Sequence, residues 1–411
     1  MVIRLLHELN REELFQLTLL LSQFLQSMKR FFLWGGIGIA ALLLGFVAVF
    51  YAMFGGTGKT FPSMATAQIL PDSAMEIVAT LPEPPGNIAV SSDNRVFVTY
   101  HAESRPENKV LEIVNGKPVP YPNEEFQHER PNNAPFFDQV FNIRIDRQNR
   151  LWTLDHGFHG LKKPHLMAFD LSTNKLVYDV VLPSEIAGVG SYIQDMQIDS
   201  AGEHIYIADI GVVAKKPAII VYNTKTRTAR RVLERHASVM EEPYEINAQG
   251  RKMYPLGGLF WMHPALDPIA LDKRGEYLYF GPMAGDKLFR ARIADLNNVA
   301  LTPEQLASRV ELYAKKSQCD GLSMDMEDNI YLTSIEDGAI NIIGKDRKQK
   351  TLIKHPKMRW PDGLSYGGDG YLYIADSDIP DVMMKSKAHI AASAPFYVFR
   401  FKPLANSVAG Q

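Results

Sequence analysis

The chain has one cysteine in 411 residues, Cys319, so no intrachain disulfide framework braces it. Charge of one sign is equally scarce. Lys and Arg number 44 against 46 Asp and Glu, a formal net charge of -2, which supplies no electrostatic reason for a nucleic-acid or acidic partner. A phosphate-binding loop is missing too. Gly58-Lys59-Thr60 has the right ending, but the glycine required five positions before Gly58 is Met53, and no strand pattern precedes it.

One more absence is informative. From Phe31 to Phe54 there are 24 positions without a charged side chain. At 1.5 Å per residue such a helix crosses a hydrocarbon layer of about 30 Å. We therefore expect a single-pass membrane helix over residues 31–54. Lys29 and Arg30 stand directly before the span, and the first basic residue after it is Lys59. That asymmetry places the N-terminus in the cytoplasm and the rest outside, in a periplasm or extracellular space. The span lies deep in the chain and lacks a compelling small-residue cleavage pattern, so an uncleaved anchor is expected. Ahead of it, Leu5, Leu6, Leu9, Leu14, Leu17, Leu20, Leu21 and Leu25 recur at helical spacing among charged residues, so residues 1–30 read as a cytoplasmic amphipathic segment, on the inner leaflet or against a partner helix, or equally as a plain extension of the membrane helix. Residues 55–75 read as a flexible linker.

Beyond the linker the chain repeats itself. An alternating apolar strand, a polar turn and a second strand with a central aromatic recur around Phe97, Trp152, Tyr206, Tyr279, Tyr331 and Tyr373. By subtraction the spacings are 55, 54, 73, 52 and 42 residues, the period of propeller blades. The expected fold is all-β, a six-bladed β-propeller over residues 76–402, with 403–411 as a tail. The long spacing marks an insertion from about His236 to Asp267, of the kind that covers a site. Met75 to Leu81 and Phe396 to Phe401 are strand-like at the two ends of the array, so they are expected to share the last blade and close the ring.

In a propeller the residues preceding each innermost strand crowd at one mouth of the central channel. Here these are Gly86, Phe141, Gln194, Asp267, Asp320 and Asp362, with Asn87, Asp138, Asn142 and Asp195 nearby. Oxygen ligands at one focus suit a divalent cation, calcium first, on Asp267, Asp320 and Asp362. Without metal, the same carboxylates could move protons, since like charges raise one another's pKa. Asp residues also cap turns for purely structural reasons. Asp320 and Asp362 are the candidate catalytic acids or bases, with His263 a further base candidate four residues before Asp267. Asn87, Tyr192, Gln194, Asp195, Trp261 and Trp360 are the candidate ligand-binding residues. His156 and His159 lie on a glycine-containing loop and read as surface or supporting histidines rather than metal ligands. Cys319 reads as a buried apolar thiol.

With these residues in hand, the sequence resembles the major royal jelly protein and Yellow family, in its bacterial branch related to L-dopachrome tautomerase. The resemblance rests on Pro85-Gly86-Asn87-Ile88-Ala89-Val90, on Gly116 to Glu125, on Gly190-Ser191-Tyr192-Ile193-Gln194-Asp195, on Asp320-Gly321-Leu322 and on Trp360-Pro361-Asp362. It implies a six-bladed propeller and, through Yellow-type relatives, a tautomerisation that uses acid and base groups. A more distant likeness is to gluconolactonases of the regucalcin type, where Glu, Asn and Asp hold a divalent metal. Asp320 matches that Asp; Gln194 stands where Asn is expected, and Glu83 matches the Glu only loosely. Two readings follow: a membrane-tethered tautomerase or metal-dependent lactone hydrolase, or a non-catalytic propeller presenting the same mouth to a small molecule or a protein partner.

Overall fold

The computed structural model describes residues 10–410. They form two compact units, residues up to Gly56 with Tyr254–Trp261, and the remainder from Thr57 onward.

The first unit is dominated by a helix, α1 (Arg11–Phe54), of 44 residues. Asn10 caps its start: the Asn10 side chain accepts from the Glu13 N–H while the Glu13 carboxylate accepts from the Asn10 N–H. The helix then runs unbroken through Lys29 and Arg30, so residues 11–30 and the apolar span are one element. None of its side chains is buried, and its apolar half is long enough to cross a membrane. Leu5, Leu6 and Leu9 lie outside the described residues. At its C-terminal end Phe54 packs against Phe260 with ring centroids 6.3 Å apart, and its carbonyl accepts from the Trp261 N–H at 2.8 Å.

The second unit is a six-bladed propeller, each blade a four-stranded antiparallel sheet. The innermost strands of blades I to VI are Pro85–Val90, Val140–Ile145, Ile193–Ile198, Leu266–Leu271, Leu322–Met324 and Pro361–Tyr366. Blade VI is closed by the two ends of the array. Met75–Leu81 pairs with Phe396–Phe401, which pairs with Leu372–Asp376, leaving no unpaired seam between the first and last repeats.

The repeated hairpins owe their form to a repeated bond. At the start of the turn an Asp side chain accepts backbone N–H groups, as Asp146 does from Gln148 and Arg150, and Asp325 from Glu327 and Asn329. The same carboxylate then takes a bond from the aromatic residue of the second strand: Trp152 donates to Asp146 at 2.6 Å, and Tyr331 to Asp325 at 2.9 Å. The aromatic anchor is therefore buried with its polar atom satisfied. Apolar residues of neighbouring blades face one another, for example Tyr206, Val221 and Val232 of blade III against Leu266, Leu278 and Phe280 of blade IV. Stability resides between blades as much as within them.

The stretch expected to be a flexible linker is instead fastened to the propeller. Thr66 N–H donates to Thr351 Oγ1 at 3.0 Å, Leu70 N–H to Leu352 O at 2.8 Å, and Phe61 is buried against Tyr244. A composition of small and polar residues concealed these tertiary bonds.

Candidate functional site

Five of the six innermost strands carry a register shift near their first residues, between Pro85 and Ile88, Val140 and Asn142, Ile193 and Met196, Leu266 and Ile269, and Pro361 and Leu364. A bulge re-aims side chains that would otherwise alternate between sheet faces. In blade V the corresponding backbone is held by Thr333, whose Oγ1 accepts from the Asp320 and Gly321 N–H groups at 3.1 and 2.9 Å. The result is a set of polar side chains gathered at one end of the ring.

Four aspartates belong to this set: Asp195, Asp267, Asp320 and Asp362. The first three are buried; Asp362 keeps some solvent contact. Asp195 Oδ1 accepts from Asn142 Nδ2 at 2.6 Å, and Asp320 Oδ2 accepts from Trp360 Nε1 at 2.6 Å. Asp195 Oδ2 and Asp267 Oδ2 are buried without a hydrogen-bond partner. Below them Arg144, 2% exposed, donates from Nη1 to Asn87 Oδ1 at 3.2 Å and to the carbonyls of Ile88 and Leu364 at 3.4 and 3.3 Å. Its charge acts on Asp195 and Asp362, two of the four carboxyls, and cannot neutralise the group.

Protonation resolves that imbalance. Burial lifts Asp195 to about 6, with Arg144 opposing, and burial lifts Asp320 to about 7. Asp267 and Asp362 are pushed well above the usual carboxylate range, first by burial and then by the charges of Asp320 and Asp195. At neutral pH the group therefore holds both donors and acceptors of protons.

A layer of aromatic rings borders the aspartates. Phe141 meets His101, His156 and Tyr192 with centroids 5.2, 4.7 and 5.2 Å away, and His159 stacks on Tyr192 at 4.4 Å. Burial holds the three histidines neutral: His101 falls to about 3, and His156 and His159 fall below their usual value. The Tyr192 hydroxyl donates to Glu103 Oε1 at 3.2 Å, and burial raises the Glu103 carboxyl. Tyr192 also feels Asp267 and Asp320, so it lies between Glu103 and the aspartates.

Most of the candidates chosen from sequence meet here. Asn87, Tyr192, Asp195, Asp267, Asp320, Trp360 and Asp362 are brought together. Gln194 is half-buried, and Asp195 rather than Gln194 takes the bond from Asn142. His263 stands 3.9 Å from Glu241, while the charges acting on Asp267 come from Asp320, Asp195, Asp362 and Cys319. Trp261 belongs to the unit that contains α1. His156 is buried rather than at the surface, and its Nδ1 accepts from the His159 N–H at 2.8 Å. Cys319 is fully buried, which raises its thiol.

Sequence reasoning missed Arg144, Glu103 and His101. Arg144 had a signal, a charge in the otherwise apolar run of an innermost strand. Three other aspartates, Asp155, Asp209 and Asp376, are structural clamps. Each ends a second strand and accepts N–H groups from residues ahead of the neighbouring innermost strand, as Asp376 does from Arg359 and Trp360 at 2.9 and 2.7 Å. The insertion contributes a strap over the same end of the ring: Arg251 pairs with Asp378 and Asp381, both at 2.8 Å, in the loop after the second strand of blade VI. A cavity of about 220 Å³ is lined by Tyr100, Arg105, Lys109 and Asp138 and by none of the four clustered aspartates.

The donor set has the chemistry for a hard cation, with partnerless carboxylate oxygens on Asp195 and Asp267. Among the described residues no three His, Cys, Asp or Glu side chains stand where they could hold one ion.

Comparison with known proteins agrees with the fold. The family described as Major royal jelly protein matches residues 139–386, more than half of the chain. Major royal jelly protein 3 of Apis mellifera is 24% identical over 220 residues, covering 50% of this chain and 38% of that protein. Major royal jelly protein 9 of the same organism is 27% identical over 192 residues, covering 43% and 41%. The match thus spans about two fifths of these relatives' length. Among solved structures, a calcium-binding protein, regucalcin, from Agrobacterium tumefaciens superposes with a TM-score of 0.53 at 12% identity, covering 84% of this chain and 99% of that one. A luciferin-regenerating enzyme gives a TM-score of 0.53 at 10% identity, covering 82% and 97%. At such identities these neighbours speak for the propeller fold alone.

Proposed function

The chain belongs to the major royal jelly protein family, and from that premise we propose that it is a membrane-anchored acid–base enzyme acting on a small carbonyl compound at the channel mouth. The observation that carries this reading is the buried aspartate cluster with a single guanidinium beneath it. Asp320, titrating at about 7, is divided between its two forms at neutral pH and so serves as base in one step and acid in the next. Asp267 and Asp362, held protonated, donate hydrogen bonds to the substrate oxygen. Arg144 supplies fixed positive charge as that oxygen becomes an enolate or oxyanion. Trp360 fixes the Asp320 carboxylate through its indole N–H.

Proton transfer next to a carbonyl covers both a dopachrome-type tautomerisation and water attack on a lactone. The test is a panel of dopachrome and lactones assayed with wild type, Asp320→Asn and Asp320→Ala over pH 5 to 9. We expect turnover that depends on a group near pH 7 and falls at least a hundredfold in both variants. Activity that survives Asp320→Ala removes this mouth from the chemistry.

A second reading, ligand binding without turnover, has the wall of Phe141, His156, His159 and Tyr192 in its favour, since neutral stacked rings suit an aromatic ligand. Binding retained in Asp320→Ala, with no product from any substrate, would select it. We further propose that the N-terminus is cytoplasmic and the propeller extracytoplasmic. A reporter fused after Gln411 should be active only outside the cytoplasm.

A further inference from the structure

Three loops of blades II and III, at the end of the ring where the aspartates gather, share a feature that the proposed chemistry does not use. They are residues 156–164, 187–192 and 210–217. Their tips expose Phe158 (46%), Leu161 (63%), Val189 (71%) and Val213 (48%). Lys162, Lys163 and Lys216 are exposed around them, and Lys215 is half-exposed. The nearby acids are Asp138, paired with Lys162 at 2.9 Å, Glu129 and the buried Asp155, which also act on Lys162, the exposed Glu185, and Glu234, which is taken up by Arg231 at 2.7 Å.

The loops are bound to one another. Gly190 N–H donates to His159 O at 2.9 Å, and Ala214 N–H to Gly190 O at 3.1 Å. Side chains could not be added at the junctions, since a Cβ on Gly160 would stand 2.0 Å from Gly188 O and one on Gly190 2.7 Å from Ala214 N. Phe158, His159 and Lys215 have φ of 48°, 55° and 53°, a backbone region that side-chain-bearing residues avoid. A folded chain that holds a bulky apolar residue in this conformation, with its ring in water, maintains a preformed apolar surface ringed by lysines.

We propose that this patch docks onto an anionic lipid bilayer, with Phe158, Leu161, Val189 and Val213 entering the headgroup layer and the four lysines meeting lipid phosphates. Apolar tips bordered by Lys are the composition of interfacial membrane contacts. The same chain also carries a helix long and apolar enough to cross a membrane. The segment from Lys59 to Leu70 is fastened to the propeller, so only residues 55–58 separate α1 from its first bridge, between Lys59 and Tyr244. That bridge lies in the insertion, at the same end of the ring as the three loops. A chain anchored by α1 keeps its propeller near lipid whichever face it presents. The proposal stands independently of the acid–base reading, although His159 and Tyr192 belong to the same loops.

The full chain in nanodiscs tests it. Cys319 is fully buried, so a single introduced cysteine can be labelled selectively with an environment-sensitive dye. Val189→Cys reports on the patch, and Val299→Cys, 81% exposed at the opposite end of the ring, serves as control. In nanodiscs containing anionic lipid, we expect brominated lipid to quench the Val189 label at least threefold more than the Val299 label. Neutral lipid, high salt or Lys→Glu at 162, 163, 215 and 216 should each reduce that difference by half or more. If that variant melts early, Leu161→Ser with Val213→Ser tests the apolar component instead. Equal lipid quenching of the two labels overturns the proposal. So does a Val189 label that is open to iodide in nanodiscs and becomes shielded only as copies of the chain are crowded together, which assigns the patch to self-association.

Discussion

Asp320→Asn should make the propeller more stable, and increasingly so as pH rises. The unfolded carboxyl titrates near 3.8, whereas in the folded protein burial moves it to about 7. Between those values the native state keeps a proton that the unfolded state releases, so the stability linked to Asp320 falls as pH rises from about 4 to about 7 and stays low above that. The displacement corresponds to about 4 kcal/mol at pH 8 and only about 0.5 kcal/mol at pH 4. Asparagine carries no charge and its Oδ1 can still accept from Trp360 Nε1. Thermal melts of the full chain in nanodiscs at pH 4 and pH 8 should therefore show little change at the lower pH and a rise of roughly 6 °C in Tm at the higher. A loss of stability at pH 8 would refute the reasoning. It would mean that Asp320 is ionised in the folded protein and held by a positive partner, and that the cluster is a cation site.

Arg144→Met should behave in the opposite sense, costing about 3–5 kcal/mol because it leaves Asp195 and Asp362 without the one opposing charge, with a larger loss at pH 8 than at pH 5 in denaturant melts. Calcium or manganese should leave the Tm at pH 7 within about 1 °C of the metal-free value if the cluster is a proton site; a rise of several degrees with saturation would speak for specific binding. Removing the residues after Phe396 should abolish cooperative unfolding in calorimetry, since that strand is paired on both sides and closes the ring. Tyr192→Phe should raise the Glu103 carboxyl further by deleting its hydrogen bond, visible as a shift of one carboxyl band in infrared titration.

Much of the candidate site was legible because of the repeat. Once Trp152, Tyr331 and Tyr373 were aligned, the residues ahead of each innermost strand could be named without knowing a single distance. Counting from the first apolar residue identified Asp267, Asp320 and Asp362. In blades I to III the polar groups are carried one position further on, by Asn87, Asn142 and Asp195; a register shift occurs in blades IV and VI as well, so the apolar pattern does not reveal which residue is re-aimed. His263 and Trp261 were chosen on weaker ground. Nearness in sequence within a long insertion says little about where its side chains go, and these two meet Glu241 and the backbone of Phe54.

The sequence by itself determined the blade count, the ring closure and the apolar helix. Each follows from local periodicity, in which strand alternation, turn chemistry and an uncharged run are written in contiguous residues. Only the tertiary structure decided what the aspartates are. Asp376 and Asp320 look alike in the chain, yet one clamps the backbone of Arg359 and Trp360 while the other stands among three more carboxyls. That difference depends on partners from other blades. It also decides the protonation state, because burial and like charge act through space.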